Sequence, residues 1–189
     1  MILVAVGAAP VVEQAAPALD PQWQLSLAVA TGRPAVLPGL ATGVTAEADW
    51  RLSTPLFLFA RAGWTTASAA NVEWVIDHQQ FTAVAGVGLS TALGVGRLFA
   101  QAGAGASGLY ETLSRHQRQR IEAAGVPGGV ETSFTVGAMA AAEGGVAISL
   151  LHGVSALFAG GPAATQTDVN GKRTWRVGGA ARLGVAYDF

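Results

Sequence analysis

The sequence predicts an all-β chain folded as an eight-stranded antiparallel up-and-down transmembrane β-barrel. Three observations carry that expectation. From Thr174 to Phe189 the chain alternates strictly: Trp175, Val177, Gly179, Ala181, Leu183, Val185, Tyr187 and Phe189 share one face. Thr174, Arg176, Gly178, Ala180, Arg182, Gly184, Ala186 and Asp188 share the other. A period of two belongs to a strand, and this one outruns the about 5 to 6 residues usual in soluble proteins and exceeds the roughly 9 to 11 that cross a bilayer. Second, hydrophobic residues make up 51% of the chain with a mean hydropathy of +0.40, while charged residues make up only 12%. That is about half the charge of an ordinary soluble domain, and there is no run of about 18 apolar residues to make a membrane helix. Third, the alternation recurs in seven more segments, hiding apolarity in strands as a membrane barrel does.

At 189 residues with a net charge of -1, one domain is expected, and neither nucleic acid nor an anionic surface is the organising partner. The absence of Cys removes disulfides and thiolate metal ligation, and no cofactor or metal is expected. Residues 1–20 read as a separate piece. MILVAVGAAPVV resembles the core of a secretion signal, with Ala8, Ala9, Ala15 and Ala16 as small residues for a peptidase, but the first basic residue is Arg33 and the positive n-region is missing. The segment is read as a signal-peptide remnant or an N-terminal linker, with the barrel over residues 21–189.

The first strand, about Gln22 to Thr31, sets Trp23, Leu25, Leu27 and Val29 against Gln24, Ser26 and Ala28. A Pro-containing loop returns the chain into the second, about Leu40 to Leu52, where Val44, Ala46, Ala48 and Trp50 oppose Glu47, Asp49 and Arg51. After a turn at Ser53 to Pro55, the third strand, about Leu56 to Thr66, points Leu58, Ala60, Ala62 and Trp64 outward and Phe57, Phe59 and Arg61 inward. Counting back across that turn puts Arg61 opposite Glu47 or Asp49, a cross-strand ion pair inside the barrel. Residues 67–79 read as a loop carrying Asp77 and His78. The fourth strand covers about Gln80 to Leu89. The fifth covers about Arg97 to Glu111, where Gly at alternate positions argues against helix despite the alanines. Thr112 to Gly129 is the longest insertion, and its SRHQRQRIEAA portion suits a short helix. The sixth strand is expected over about Glu131 to Ala142, a turn at Glu143-Gly144-Gly145, and the seventh over about Val146 to Phe158. Gly160 to Lys172 reads as the last long loop, with Asn170-Gly171 a hairpin signal.

Phe189 preceded at every second position by Tyr187, Val185 and Leu183 resembles the terminal signature of bacterial outer-membrane β-barrel proteins. That resemblance implies recognition of Leu183, Val185, Tyr187 and Phe189 by the barrel-assembly machinery and residence in the bacterial outer membrane. From Pro21 to Phe189 the overall pattern resembles small barrels of the OmpA/OmpX type as an architecture. Longer connections after strands one, three, five and seven then become extracellular loops, and both termini become periplasmic. Outward aromatics sort into two girdles: Trp23, Trp50, Tyr187 and Phe189 at one end, and Trp64, Phe81, Tyr110, Phe134, Phe158 and Trp175 at the other.

The in-strand charges all fall on lumenal parity: Glu47, Asp49, Arg51, Arg61, Arg97, Glu111, Glu143, Arg176, Arg182 and Asp188. Lipid-facing Arg or Lys at mid-depth costs about 2 to 4 kcal/mol, which explains the segregation. Eight strands make a barrel just wide enough for its side chains to fill. A plugged, charged lumen follows, with a role in outer-membrane structure or in surface interaction through the loops, as a monomer among outer-membrane lipids and lipopolysaccharide. The run Arg115, His116, Arg118 and Arg120 is the candidate loop patch, because guanidinium forks match phosphate oxygens. A narrow pore for ions or small solutes is the second reading. A lipid A-modifying enzyme is the third, but His152 and Ser155 differ by three and point to opposite faces of a strand, so no catalytic residue is assigned. A soluble lipocalin-like barrel with its apolar face inward is the fourth.

Overall fold

The computed structural model describes residues 22–34, 36–37, 39–70, 75–124, 132–169 and 172–189. Residues 1–20, read from sequence as a leader or linker, lie outside the described residues. Eight strands form a closed ring in chain order, each antiparallel to its neighbours: β1 (Trp23–Arg33), β2 (Ala41–Arg51), β3 (Leu56–Ala70), β4 (Val75–Leu93), β5 (Gly96–Leu113), β6 (Ser133–Leu151), β7 (Val154–Val169) and β8 (Lys172–Asp188). β8 closes on β1, pairing Leu25 with Tyr187 and Val29 with Leu183. Closure satisfies every strand edge, which an open sheet in lipid cannot do.

The fold is inside out by the standard of a soluble protein. Leu25, Leu27 and Val29 of β1 are exposed, while Gln24, Ser26, Glu47, Asp49, Gln101, Glu143 and Arg182 are buried in the lumen. Where β1 begins and β8 finishes, the near end, Trp23 stacks on Trp50 at 5.7 Å and Tyr187 meets Phe189 edge-on at 4.8 Å. Around the far end, Trp64 pairs across the ladder with Phe81, and Tyr110 with Phe134. Phe158, expected in that far group, belongs nearer the other end: it pairs with Leu183, and the β7 strand starts only four residues before it, at Val154.

The sixth and seventh strands differ from their sequence boundaries. Glu143-Gly144-Gly145 is not a turn. It lies within β6, where Glu143 points into the lumen and Gly145 receives the ring of Phe99; a Cβ there would sit 2.5 Å from Phe99 Cζ. The turn is His152-Gly153, with Gly153 at φ 74°, a left-handed conformation that glycine adopts without strain. β7 therefore runs through Gly160-Gly161-Pro162, which the sequence assigned to a loop. Asn170-Gly171 lies outside the described residues, between the ends of β7 and β8.

Asp77 and His78 likewise lie on β4 rather than in a loop, because β3 and β4 continue to Ala70 and from Val75. The long helical insertion is as expected, with α1 (Arg115–Ala123) between β5 and β6 at the far end. The alternation of long and short loops is not found in the form expected. Only residues 34–40 and 114–132 make long connections, and the excess at the far end is carried instead by strands of 18 and 19 residues.

Candidate functional site

The lumen is filled in layers, ordered along each strand from the near end. Gln24, Asp49, Arg51, Arg97 and Asp188 form the first. Gln24 Nε2 donates to Asp188 Oδ1 at 2.8 Å, and Arg51 Nη2 lies 3.9 Å from the same oxygen. Arg97 Nη2 donates to Gln24 Oε1 and lies 3.6 Å from Asp49 Oδ2. The second layer is apolar: Phe57, Phe59 and Phe99 pack with Val84, Ala147 and Leu157. Small residues opposite the rings make room for them. A Cβ at Gly88 would lie 2.2 Å from Phe57 Cζ, so glycine is required where that ring crosses the lumen.

Above the rings sits a quartet of ions. Glu47 and Arg61 face each other across the β2–β3 ladder with 3.6 Å between Oε2 and Nη1. Arg61 Nη1 also donates across the barrel to Glu143 Oε2. Arg182 Nε donates to Glu143 Oε1 at 2.6 Å, and its Nη2 donates to both oxygens of Glu47 at 3.1 and 3.2 Å. Gln101 Nε2 completes the ring with a donated bond to Glu47 Oε2 at 2.9 Å. The side chains of Glu47, Glu143 and Arg182 are 3%, 5% and 4% exposed, so each charge depends on its partners rather than on water. Arg61 ties this layer to the one below, its guanidinium carbon 5.7 Å from the centre of the Phe59 ring.

Beyond the quartet the lumen widens into a cavity of about 110 Å³ and then, at the mouth, another of about 160 Å³. Leu37, from the connection between β1 and β2, packs with Ala41 and Ala67 over this end. His78 Nδ1 lies 2.9 Å from Glu111 Oε1, and Ser133 Oγ donates to Glu111 Oε2 at 2.9 Å.

The ten charges read from parity thus fall into distinct groups. Glu47, Arg61, Glu143 and Arg182 come together; Asp49, Arg51, Arg97 and Asp188 make a second set; Glu111 joins His78. Arg176 lines the mouth cavity, exposed and without an ion-pair partner among the described residues. His78 and Gln101 were not singled out from sequence as lumenal partners. Gln101 had a usable signal in its lumenal parity on β5.

Leu183, Val185 and Tyr187 lie on the outward face of β8, and the Phe189 backbone N–H donates to Trp23 O at 2.9 Å. In α1, Arg118 is half-buried and Arg120 exposed. The side chains of Arg115 and His116 lie outside the described residues. His152 occupies the exposed near-end turn, not a face of the same strand as Ser155 as the sequence spacing had it, and Ser155 is buried in the lumen. No cluster of metal-ligating side chains occurs among the described residues.

A closed eight-stranded meander with an apolar, aromatic-belted exterior and a charged interior defines the class: it is the architecture of the small bacterial outer-membrane β-barrels. Solved members of that class superpose on the chain. A major outer-membrane protein of Thermus thermophilus aligns with a TM-score of 0.59 at 13% identity, covering 88% of this chain and 99% of that one. Neisserial surface protein A gives 0.57 at 12% identity over 89% and 95%. The attachment invasion locus protein Ail of Yersinia pestis, in complex with the heparin analogue sucrose octasulfate, gives 0.56 at 12% identity over 90% and 100%. At such identities the likeness is one of fold. No protein-family model matches the chain, and no curated protein matches its sequence significantly.

Proposed function

We propose that the protein is a bacterial outer-membrane barrel, its termini periplasmic, whose lumen is closed to solute flow and whose role is surface interaction with anionic glycans through α1. The observation that carries this reading is the placement of Arg115, His116, Arg118 and Arg120 on a helix at the far end, with Glu122 as its only acid. Guanidinium groups suit phosphate or sulfate oxygens. Ail, a barrel of the same architecture, is solved with a sulfated heparin analogue. Phosphorylated lipopolysaccharide is the corresponding partner in the protein's own membrane. The terminal residues Leu183, Val185, Tyr187 and Phe189 serve assembly, read by the barrel-assembly machinery, and the barrel works as a monomer with no catalytic role.

The Arg118→Glu/Arg120→Glu double variant tests the partner. Wild-type protein in nanodiscs is expected to bind immobilised heparin and lipopolysaccharide at low salt, and the variant to bind at least about tenfold more weakly. Equal binding by the two proteins rejects α1 as the contact.

A narrow pore is the second reading, favoured by the two far-end cavities. The phenyl layer and the ion quartet stand between those cavities and the near end, and they support closure. Wild-type protein in planar bilayers is expected to give no discrete conductance steps. Regular steps, abolished by narrowing the lumen with Ala141→Phe, would replace the closed-lumen reading with the pore.

A further inference from the structure

We propose that the outer wall at the far end of β1 docks a phosphorylated lipid with several acyl chains, its phosphate on Arg33 and its chains on the wall beside it. Exposure alternates along β1 from Trp23 to Arg33, so Arg33 shares the outward set with Leu25, Leu27 and Val29. Its side chain is exposed and makes no hydrogen bond or ion pair among the described residues. The other outward strand charges are answered within the protein. Ser68 Oγ donates to Asp77 Oδ1 at 2.8 Å, and Asp168 is the ladder partner of Arg173.

Depth gives this orientation its meaning. At about 3.3 Å per residue and a tilt near 40°, Arg33 stands roughly 25 Å above Trp23, at the opposite edge of an apolar band of about 25 Å. Its ladder partner Gly179 lies just below Trp175 of the far girdle on the outward face of β8. At that edge the cost of a lipid-facing arginine falls to about 0 to 1 kcal/mol, and its long stem lets the charge reach the headgroups. The anions at that level are lipid phosphates, which a guanidinium fork meets with two parallel N–H bonds.

The wall beside Arg33 is shaped for chains. An open groove of about 690 Å³ begins at Thr31, the next outward residue below Arg33, and crosses from β1 by way of β8, β7 and β6 to Leu98 on β5. Its lower side is a ladder row of bulky residues: Val29, Leu183, Phe158, Val146 and Leu98. The row above runs from Thr31 through Ala181, Gly160 and Gly144 to Ala100 and is almost bare. Four interstrand spacings of about 4.8 Å make it roughly 19 Å long, against about 15 Å for the hydrocarbon of one leaflet. Ala142 with Ala102, and Ala140 with Ala104, continue the bare surface upward. Successive rows are about 7 Å apart, so several chains lie side by side, and that breadth favours a multiply acylated lipid over one with two chains. The site rests on the membrane assignment and is independent of α1.

The test uses the full chain in detergent micelles supplied with lipid A, phosphatidylglycerol and phosphatidylcholine in equal amounts, with retained lipid counted by native mass spectrometry. Lipid A is expected to be retained at least about tenfold more tightly than phosphatidylcholine, and phosphatidylglycerol to fall between them. Arg33→Gln is expected to weaken lipid A retention by about tenfold. Gly144→Leu places bulk on the bare row and gives a comparable loss; a Cβ there meets nothing closer than Phe99 O at 3.8 Å, so the barrel accommodates it. Arg118→Glu/Arg120→Glu leaves retention unchanged. Wild-type retention by both Arg33→Gln and Gly144→Leu overturns the site, and phosphatidylglycerol held as tightly as lipid A overturns the multiply acylated class. Retention of no lipid of any class overturns the membrane assignment along with the site, whereas retention blind to lipid class overturns the site alone.

Discussion

Glu143→Ala is expected to destabilise the barrel by about 3 to 5 kcal/mol, the cost of breaking a buried ion pair by removing one partner. Glu143 receives Arg61 on one oxygen and Arg182 on the other. Its loss leaves two buried guanidinium groups in the lumen with only Glu47 between them. The penalty comes from the stranded charges rather than from any great net worth of the pairs, and that distinction has its own test. Replacing Glu47, Arg61, Glu143 and Arg182 together with apolar residues of matched volume removes the stranded charge along with the attraction, and is expected to restore stability to within about 1 kcal/mol of wild type or above it. Urea unfolding of bilayer-reconstituted protein, followed by tryptophan fluorescence, reads both. If Glu143→Ala unfolds at the wild-type urea concentration, the quartet is not holding the lumen.

The second large effect lies on the other side of the wall. Ala104 is exposed on β5, with Ala85 and Ala140 as its ladder neighbours. At mid-depth in a bilayer, Ala104→Arg is expected to cost about 2 to 4 kcal/mol. Ala104→Leu, which adds bulk without charge, is expected to stay within about 0.5 kcal/mol of wild type, as surface changes do. A water-facing exterior gives a different result, with both substitutions near neutral. Equal stability of the arginine and leucine variants in bilayers would therefore remove the membrane assignment.

The face of each strand was far more legible in the sequence than its ends. Parity needs only the contrast between lipid and lumen, and that contrast is strong along the membrane-crossing length. At Val146 to Phe158 it concealed a turn. Ile148 and Val146 face outward on β6 and Ala156 and Phe158 outward on β7, so a two-residue turn at His152-Gly153 leaves the even positions outward on both sides. Glu143-Gly144-Gly145 supplied a false turn in its place, because glycine that accommodates a ring and glycine that bends a chain look alike in sequence. His78 failed for a different reason. Where strands run past the aromatic girdle both faces become polar, the alternation fades, and a strand resembles a loop. The quartet was half legible: hairpin counting puts Arg61 opposite Glu47 or Asp49, but Arg61 with Glu143 and Arg182 with Glu47 cross the lumen between strands that are not neighbours. Only closure of the ring brings those together.

Strand length also sets the outline of the molecule. β1 and β2 have 11 residues each, whereas β4 and β6 have 19. At about 3.3 Å per residue and a tilt near 40°, the short pair rises roughly 27 Å and the long ones roughly 47 Å, against an apolar band of about 25 Å. The rim is therefore bevelled, low at β1–β2 and standing about 10 Å higher at β4–β6, since β4 also runs past the start of β3 at the near end, from Leu89 to Leu93. α1 is mounted on the tall side. A helix raised that far is lifted clear of the apolar band that the outward faces of the strands present.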